Sequence, residues 1–88
     1  MNEPFTFAAF RSRHQVMRFD SFLREAGIRT QIINTPHEVA LGCGLSVKIE
    51  NSQYRHARQI YDKNPSESVV GFYQASFKNG KLVCQRLS

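Results

Sequence analysis

The chain has 88 residues, 41% hydrophobic and 11% aromatic, with a formal net charge of +5. That apolar content suits one small folded domain with one core and excludes a disordered chain. No run approaches the ~20 apolar residues of a membrane span, and the acidic start Met1-Asn2-Glu3-Pro4 is not expected to be a signal peptide.

Five of the eight arginines lie between Arg11 and Arg29. The positive excess is therefore partly local and favours acidic partners. The two cysteines, Cys43 and Cys84, form no CxxC pair. A cytoplasmic protein with free thiols is the expectation. The three histidines and two cysteines have no metal-site spacing, and no P-loop or dinucleotide fingerprint is present, so neither metal nor cofactor is expected.

In chain order, residues 4–10 read as a first strand, with Phe5, Phe7 and Ala9 sharing a face. Ser12 reads as the N-cap of a helix over 12–26. Its apolar stripe is Val16, Phe19, Phe22, Leu23 and Ala26, and Gly27 stops it. Residues 28–34 read as a second strand. Thr35-Pro36-His37-Glu38 has a capping-box pattern that predicts a short helical turn ending at Gly42.

Residues 43–50 alternate as a half-buried strand, with Leu45, Val47 and Ile49 on one side and Ser46, Lys48 and Glu50 on the other. Asn51 or Ser52 is expected to cap a helix over 53–63 whose apolar face is Tyr54, Ala57, Ile60 and Tyr61. Asn64-Pro65 ends it. Residues 68–77 and 82–87 read as a hairpin around Asn79-Gly80.

This order predicts an α+β fold, a ferredoxin-like βαββαβ sandwich in which both helices cover one face of an antiparallel sheet, plus a C-terminal hairpin strand. The expected strand order is 2-3-1-4 with the fifth beside the fourth. Val70, Phe72 and Val83 are expected on the face away from the helices.

Topology gives Cys43 a neighbourhood. The third strand should run antiparallel beside the first, so its start should lie near Phe10-Arg11-Ser12-Arg13-His14. By alternation with Leu45, Cys43 should point to the helix side. A thiol near a helix N-terminus and flanked by Arg or His⁺ favours the thiolate. Gly42 and Gly44 would leave its sulfur uncrowded and let another backbone approach. The same inward parity also fits an inert packed cysteine, with Gly42 as a helix stop and Gly44 as a bulge.

The run Phe10-x-Ser12-x-His14, Phe22-Leu23-x-x-Ala26-Gly27, Ile33-x-Thr35-Pro36-x-Glu38-Val39, Cys43-Gly44-Leu45 resembles the putative Se/S carrier protein-like family over about residues 5–77. The family often has a basic residue after the Pro, where this chain has His37. The resemblance implies that Cys43 is a carrier site for sulfur or selenium. Arg11, Ser12, Arg13, His14, Gly42 and Gly44 would support it.

Three functions follow as expectations. The first is a carrier rather than a stand-alone enzyme. It would be loaded by a cysteine desulfurase-like donor and would dock an acidic acceptor protein. The second is a nucleic-acid-binding module, for which Phe10, Phe72 and the basic residues are the available features, without the aromatic pattern of RNA-recognition modules. The third is an interaction module that forms a homodimer through the open sheet face. His14, His37 and His56 also read as solvated positions, Asp20 and Asp62 as polar helix positions, and Cys84 as a packed residue opposite Ala75.

Overall fold

A computed structural model of the chain describes residues 3–39 and 44–87. Its elements are β1 (Phe5–Phe10), α1 (Arg13–Glu25), β2 (Gln31–Asn34), β3 (Leu45–Ile49), α2 (Tyr54–Lys63), β4 (Val69–Lys78) and β5 (Lys81–Arg86). The class is α+β. The strands form one antiparallel sheet in the order β2-β3-β1-β4-β5.

Each helix is placed by its apolar stripe. Val16, Phe19 and Leu23 of α1 and Ala57 and Tyr61 of α2 join Ala8, Phe10, Val47, Ile49 and Phe72 in one core cluster. Both helices therefore lie on the same sheet face. Ser12 caps α1 by accepting from the Gln15 N–H at 3.3 Å, and Gly27 follows the helix at φ 83°. The β4–β5 turn has positive φ at both Asn79 (52°) and Gly80 (78°), the conformation that an Asn-Gly hairpin favours. It sets Cys84 opposite Ala75.

Several local expectations are corrected. The second strand begins at Gln31 rather than Ile28, because Ile28 is already buried in the helix-face core before the chain reaches the sheet. The Thr35 side chain caps no helix, and the expected end of the short turn at Gly42 lies outside the described residues. Residues 37–39 form a turn closed by the Val39 N–H donating to the Pro36 carbonyl at 3.0 Å, and the Thr35 hydroxyl pairs with Ser46. Asn51 begins a 3-10 turn over Asn51–Gln53, and its side chain accepts from the Thr6 hydroxyl at 2.6 Å instead of capping α2.

Phe72 faces the helices, against expectation. Ala9 pairs with Gly71 but Phe10 pairs with Val69, so Val70 is an extra residue in β4. This bulge reverses the alternation of strand faces. Gly71 has φ 158°, a conformation that side chains rarely adopt. Phe72 consequently joins the rings of Phe19, Tyr54 and Tyr61 and is 1% exposed. Val83 is likewise not on the far face. Its neighbours Leu82 and Cys84 are, so alternation turns Val83 the other way, where it is 40% exposed.

The far face has its own smaller cluster. Phe7, Ala9, Tyr73 and Ala75 are buried there, with Phe5, Ile33, Val39, Val70, Leu82 and Cys84 packed around them. Val39 comes from the connection after β2, so part of that connection lies over this face.

Asp20, expected as a polar helix position, is polar but not exposed. It is buried on α1, pairs with Arg24 at 3.0 Å and accepts from the Thr30 hydroxyl. The network ties the end of α1 to the start of β2. Among the described residues no helix is long and apolar enough to cross a membrane.

Candidate functional site

Where β1 ends, α1 begins and β3 begins, the chain leaves a cavity of about 440 Å³. Its walls are Arg11, Arg13, Asn34, Thr35, His37, Gly44 and Leu45. Topology explains the gathering. β3 runs antiparallel to β1, with Leu45 opposite Phe10, so the residue before Leu45 meets the residue after Phe10. The antiparallel pairing of Asn34 with Leu45 brings the end of β2 to the same corner.

Gly44 is held tightly there. A Cβ at this position would lie 3.3 Å from the Phe10 carbonyl oxygen and 3.3 Å from Thr35 Oγ1. Its carbonyl accepts from the Thr35 N–H at 3.0 Å. Glycine thus permits a close backbone approach at this position.

The cavity is cationic. Arg11 and Arg13 both line it, and no carboxylate does so among the described residues. Arg13 is the first residue of α1, whose N-terminal dipole adds positive potential nearby. His37 completes the wall from the turn after β2.

The site residues expected from the sequence divide into three groups. Arg11, Arg13 and Gly44 line one cavity. Ser12 is occupied in capping α1, and His14 is exposed and outside the cavity wall. Cys43 and Gly42 lie outside the described residues. Asn34, Thr35 and Leu45 also line the cavity and were not expected as site residues from the sequence. The pairing of the second and third strands was the signal that could have found them.

Cys84 stands in a different environment. It is half-buried on β5, against the far-face cluster. Burial pushes its thiol above the ordinary range, and the negative charge of Glu38 adds to the shift. Both effects favour the neutral, unreactive form.

The aromatics expected to serve nucleic acid are not available to it. Phe10 and Phe72 are 2% and 1% exposed in the helix-face core. On the other face Phe7 is fully buried and stacked on Tyr73, with ring centroids 5.5 Å apart. Lys48 and Arg86 cover Phe5 and Tyr73, at 4.5 and 5.9 Å from their ring centres. Among the described residues no group of three or more His, Cys, Asp or Glu is placed to hold a metal ion.

No curated protein and no solved structure matches the chain. A family model matches residues 6–73, which run from β1 into β4 and include the described residues of the cavity wall and Cys43. The chain belongs to the family described as putative Se/S carrier protein-like.

Proposed function

We propose that this protein carries sulfur or selenium on Cys43, between a cysteine desulfurase-like donor and an acidic acceptor protein. The observation that carries the reading is the cationic cavity, whose wall includes Gly44, the residue next to Cys43 in sequence. Membership of the Se/S carrier-like family supports it. The frame is a ferredoxin-like βαββαβ sandwich with an added C-terminal hairpin strand. The setting is the bacterial cytoplasm, where a thiol stays reduced until it is loaded.

The chemistry needs one nucleophile. The Cys43 thiolate attacks the terminal sulfur of a persulfide on the donor. The donor's S–S bond breaks, its electron pair leaves on the donor cysteine as a thiolate, and Cys43 keeps the transferred sulfur as a new persulfide. Guanidinium groups beside a thiol favour the attacking thiolate, and Arg11 and Arg13 line the cavity that Gly44 also lines. The protein holds the group and passes it on, and so acts as a carrier rather than a stand-alone enzyme. The net charge of +5 suits an acidic docking partner.

The environment of the thiol is tested by the pH dependence of alkylation in a Cys84→Ser protein. A midpoint below the ordinary value of about 8.5, rising in Arg11→Ala and Arg13→Ala proteins, is expected. A midpoint at or above that value, unmoved by either arginine, contradicts an activated Cys43.

A further inference from the structure

The cavity has more to hold than a cysteine sulfur requires. Arg11 and Arg13 come from the turn into α1, while Asn34 and His37 come from the end of β2 and the turn after it. Among the described residues, neither arginine side chain has an ion pair or a hydrogen bond. The Thr35 hydroxyl, by contrast, is engaged with Ser46. Arg11 and Arg13 both line the cavity, and their charges attract an anion that enters it. The volume of about 440 Å³ lies within the range of small-molecule sites.

We infer that this cavity binds a small dianionic tetrahedral oxyanion of the sulfate or phosphate type. Donors arriving from two separate segments suit oxygens spread in three dimensions. A planar carboxylate is satisfied by a single guanidinium fork. On the carrier reading, on which this second step rests, the ligand is a small donor with terminal sulfane sulfur or selenium bonded to a sulfonate.

Thiosulfate shows the balance. The Cys43 thiolate attacks the outer sulfur, and the bond from that sulfur to the sulfonate sulfur breaks. Its electron pair leaves with sulfite, and Cys43 becomes a persulfide anion. One thiolate and one dianion enter, and one persulfide anion and one dianion leave. No outside oxidant or reductant takes part. Arg11 and Arg13 would hold the departing oxyanion and stabilise its charge.

Sulfate, thiosulfate and acetate are the probes, titrated by calorimetry into the full chain. Saturable sulfate binding is expected, weakened at least about tenfold by Arg11→Ala or Arg13→Ala and retained in Cys43→Ser. Binding of acetate as tight as sulfate, no saturation, or indifference to both arginine variants overturns the oxyanion site. Thiosulfate should then add one sulfur to Cys43 and release one equivalent of sulfite, as read by intact mass and sulfite assay. Loading by a desulfurase but not by thiosulfate overturns the small-donor assignment and leaves the carrier reading standing. Loading by neither, in protein that binds sulfate, overturns the carrier reading and the donor assignment with it.

Discussion

The hydroxyls of Thr35 and Ser46 face each other at 2.7 Å, and both residues are buried. The pair sits where the chain leaves β2 and returns in β3, and so fastens the mouth of the connection that contains Cys43. Thr35→Val leaves the Ser46 hydroxyl buried without its partner, at an expected cost of about 1–3 kcal/mol. Thr35→Val/Ser46→Ala should cost less than the sum of the two single changes. Denaturant unfolding of the four proteins checks this, and strict additivity counts against the bond.

Gly44→Ala places a methyl 3.3 Å from the Phe10 carbonyl oxygen and from Thr35 Oγ1. Neither neighbour withdraws freely, since one is β1 backbone and the other is tied to Ser46. Overpacking of this kind costs about 1–3 kcal/mol. A lowered melting temperature is expected, with NMR shifts concentrated at Phe10, Thr35 and the cavity wall. An unchanged melting temperature means that the strands do not approach this closely.

Cys84 makes stability depend on pH. Burial and then Glu38 raise its folded-state pKa above that of the unfolded chain. The folded protein therefore keeps the thiol proton to higher pH than the unfolded protein does. The resulting stability is fully present below the unfolded thiol pKa of about 8.5 and is lost as pH rises through the folded value. In a Cys43→Ser background, Cys84→Ala should flatten the alkaline fall of the unfolding free energy. Glu38→Gln should lower the Cys84 pKa, leaving the larger burial effect in place. A fall of equal slope with and without Cys84 contradicts the assignment.

Phe72 packs edge-on against Phe19, Tyr54 and Tyr61, at 5.4–6.0 Å between ring centres. Phe72→Ala should cost about 3–5 kcal/mol, as expected for emptying a packed aromatic site. Calorimetric or denaturant unfolding measures it. A loss below about 1 kcal/mol, the usual scale of a surface change, would place the ring outside the core.

The face of Phe72 was hidden in the sequence because a bulge leaves no alternation signal of its own. Val69-Val70-Gly71-Phe72 reads as a regular run, and Gly71 is the one hint of irregularity. The Asn79-Gly80 turn, the pairing of Cys84 with Ala75 and most of the helix stripes were legible, because each follows from local periodicity or turn chemistry; at the end of the α1 stripe Ala26 is exposed and Phe22 lies outside the core cluster, under Arg18. Thr35 and Asn51 misled for a shared reason. Both are good capping residues locally, but a distant hydroxyl, on Ser46 or Thr6, claims the side chain. The burial of Asp20 was not legible, because its partner Thr30 lies on the next segment rather than on the helix. Of the site, the arginines and Gly44 were legible from strand topology. The contribution of Asn34, Thr35 and Leu45 depends on how β2 pairs with β3.

On the proposed function Cys43, and not Cys84, holds the transferred group. The most direct test is intact mass spectrometry of the wild-type, Cys43→Ser and Cys84→Ser proteins after incubation with a cysteine desulfurase and cysteine. A gain of one sulfur, about 32 Da and labile to reductant as a persulfide is, is expected on the wild-type and Cys84→Ser proteins and none on Cys43→Ser. A gain that survives Cys43→Ser, or none on any of the three, would contradict the proposed function.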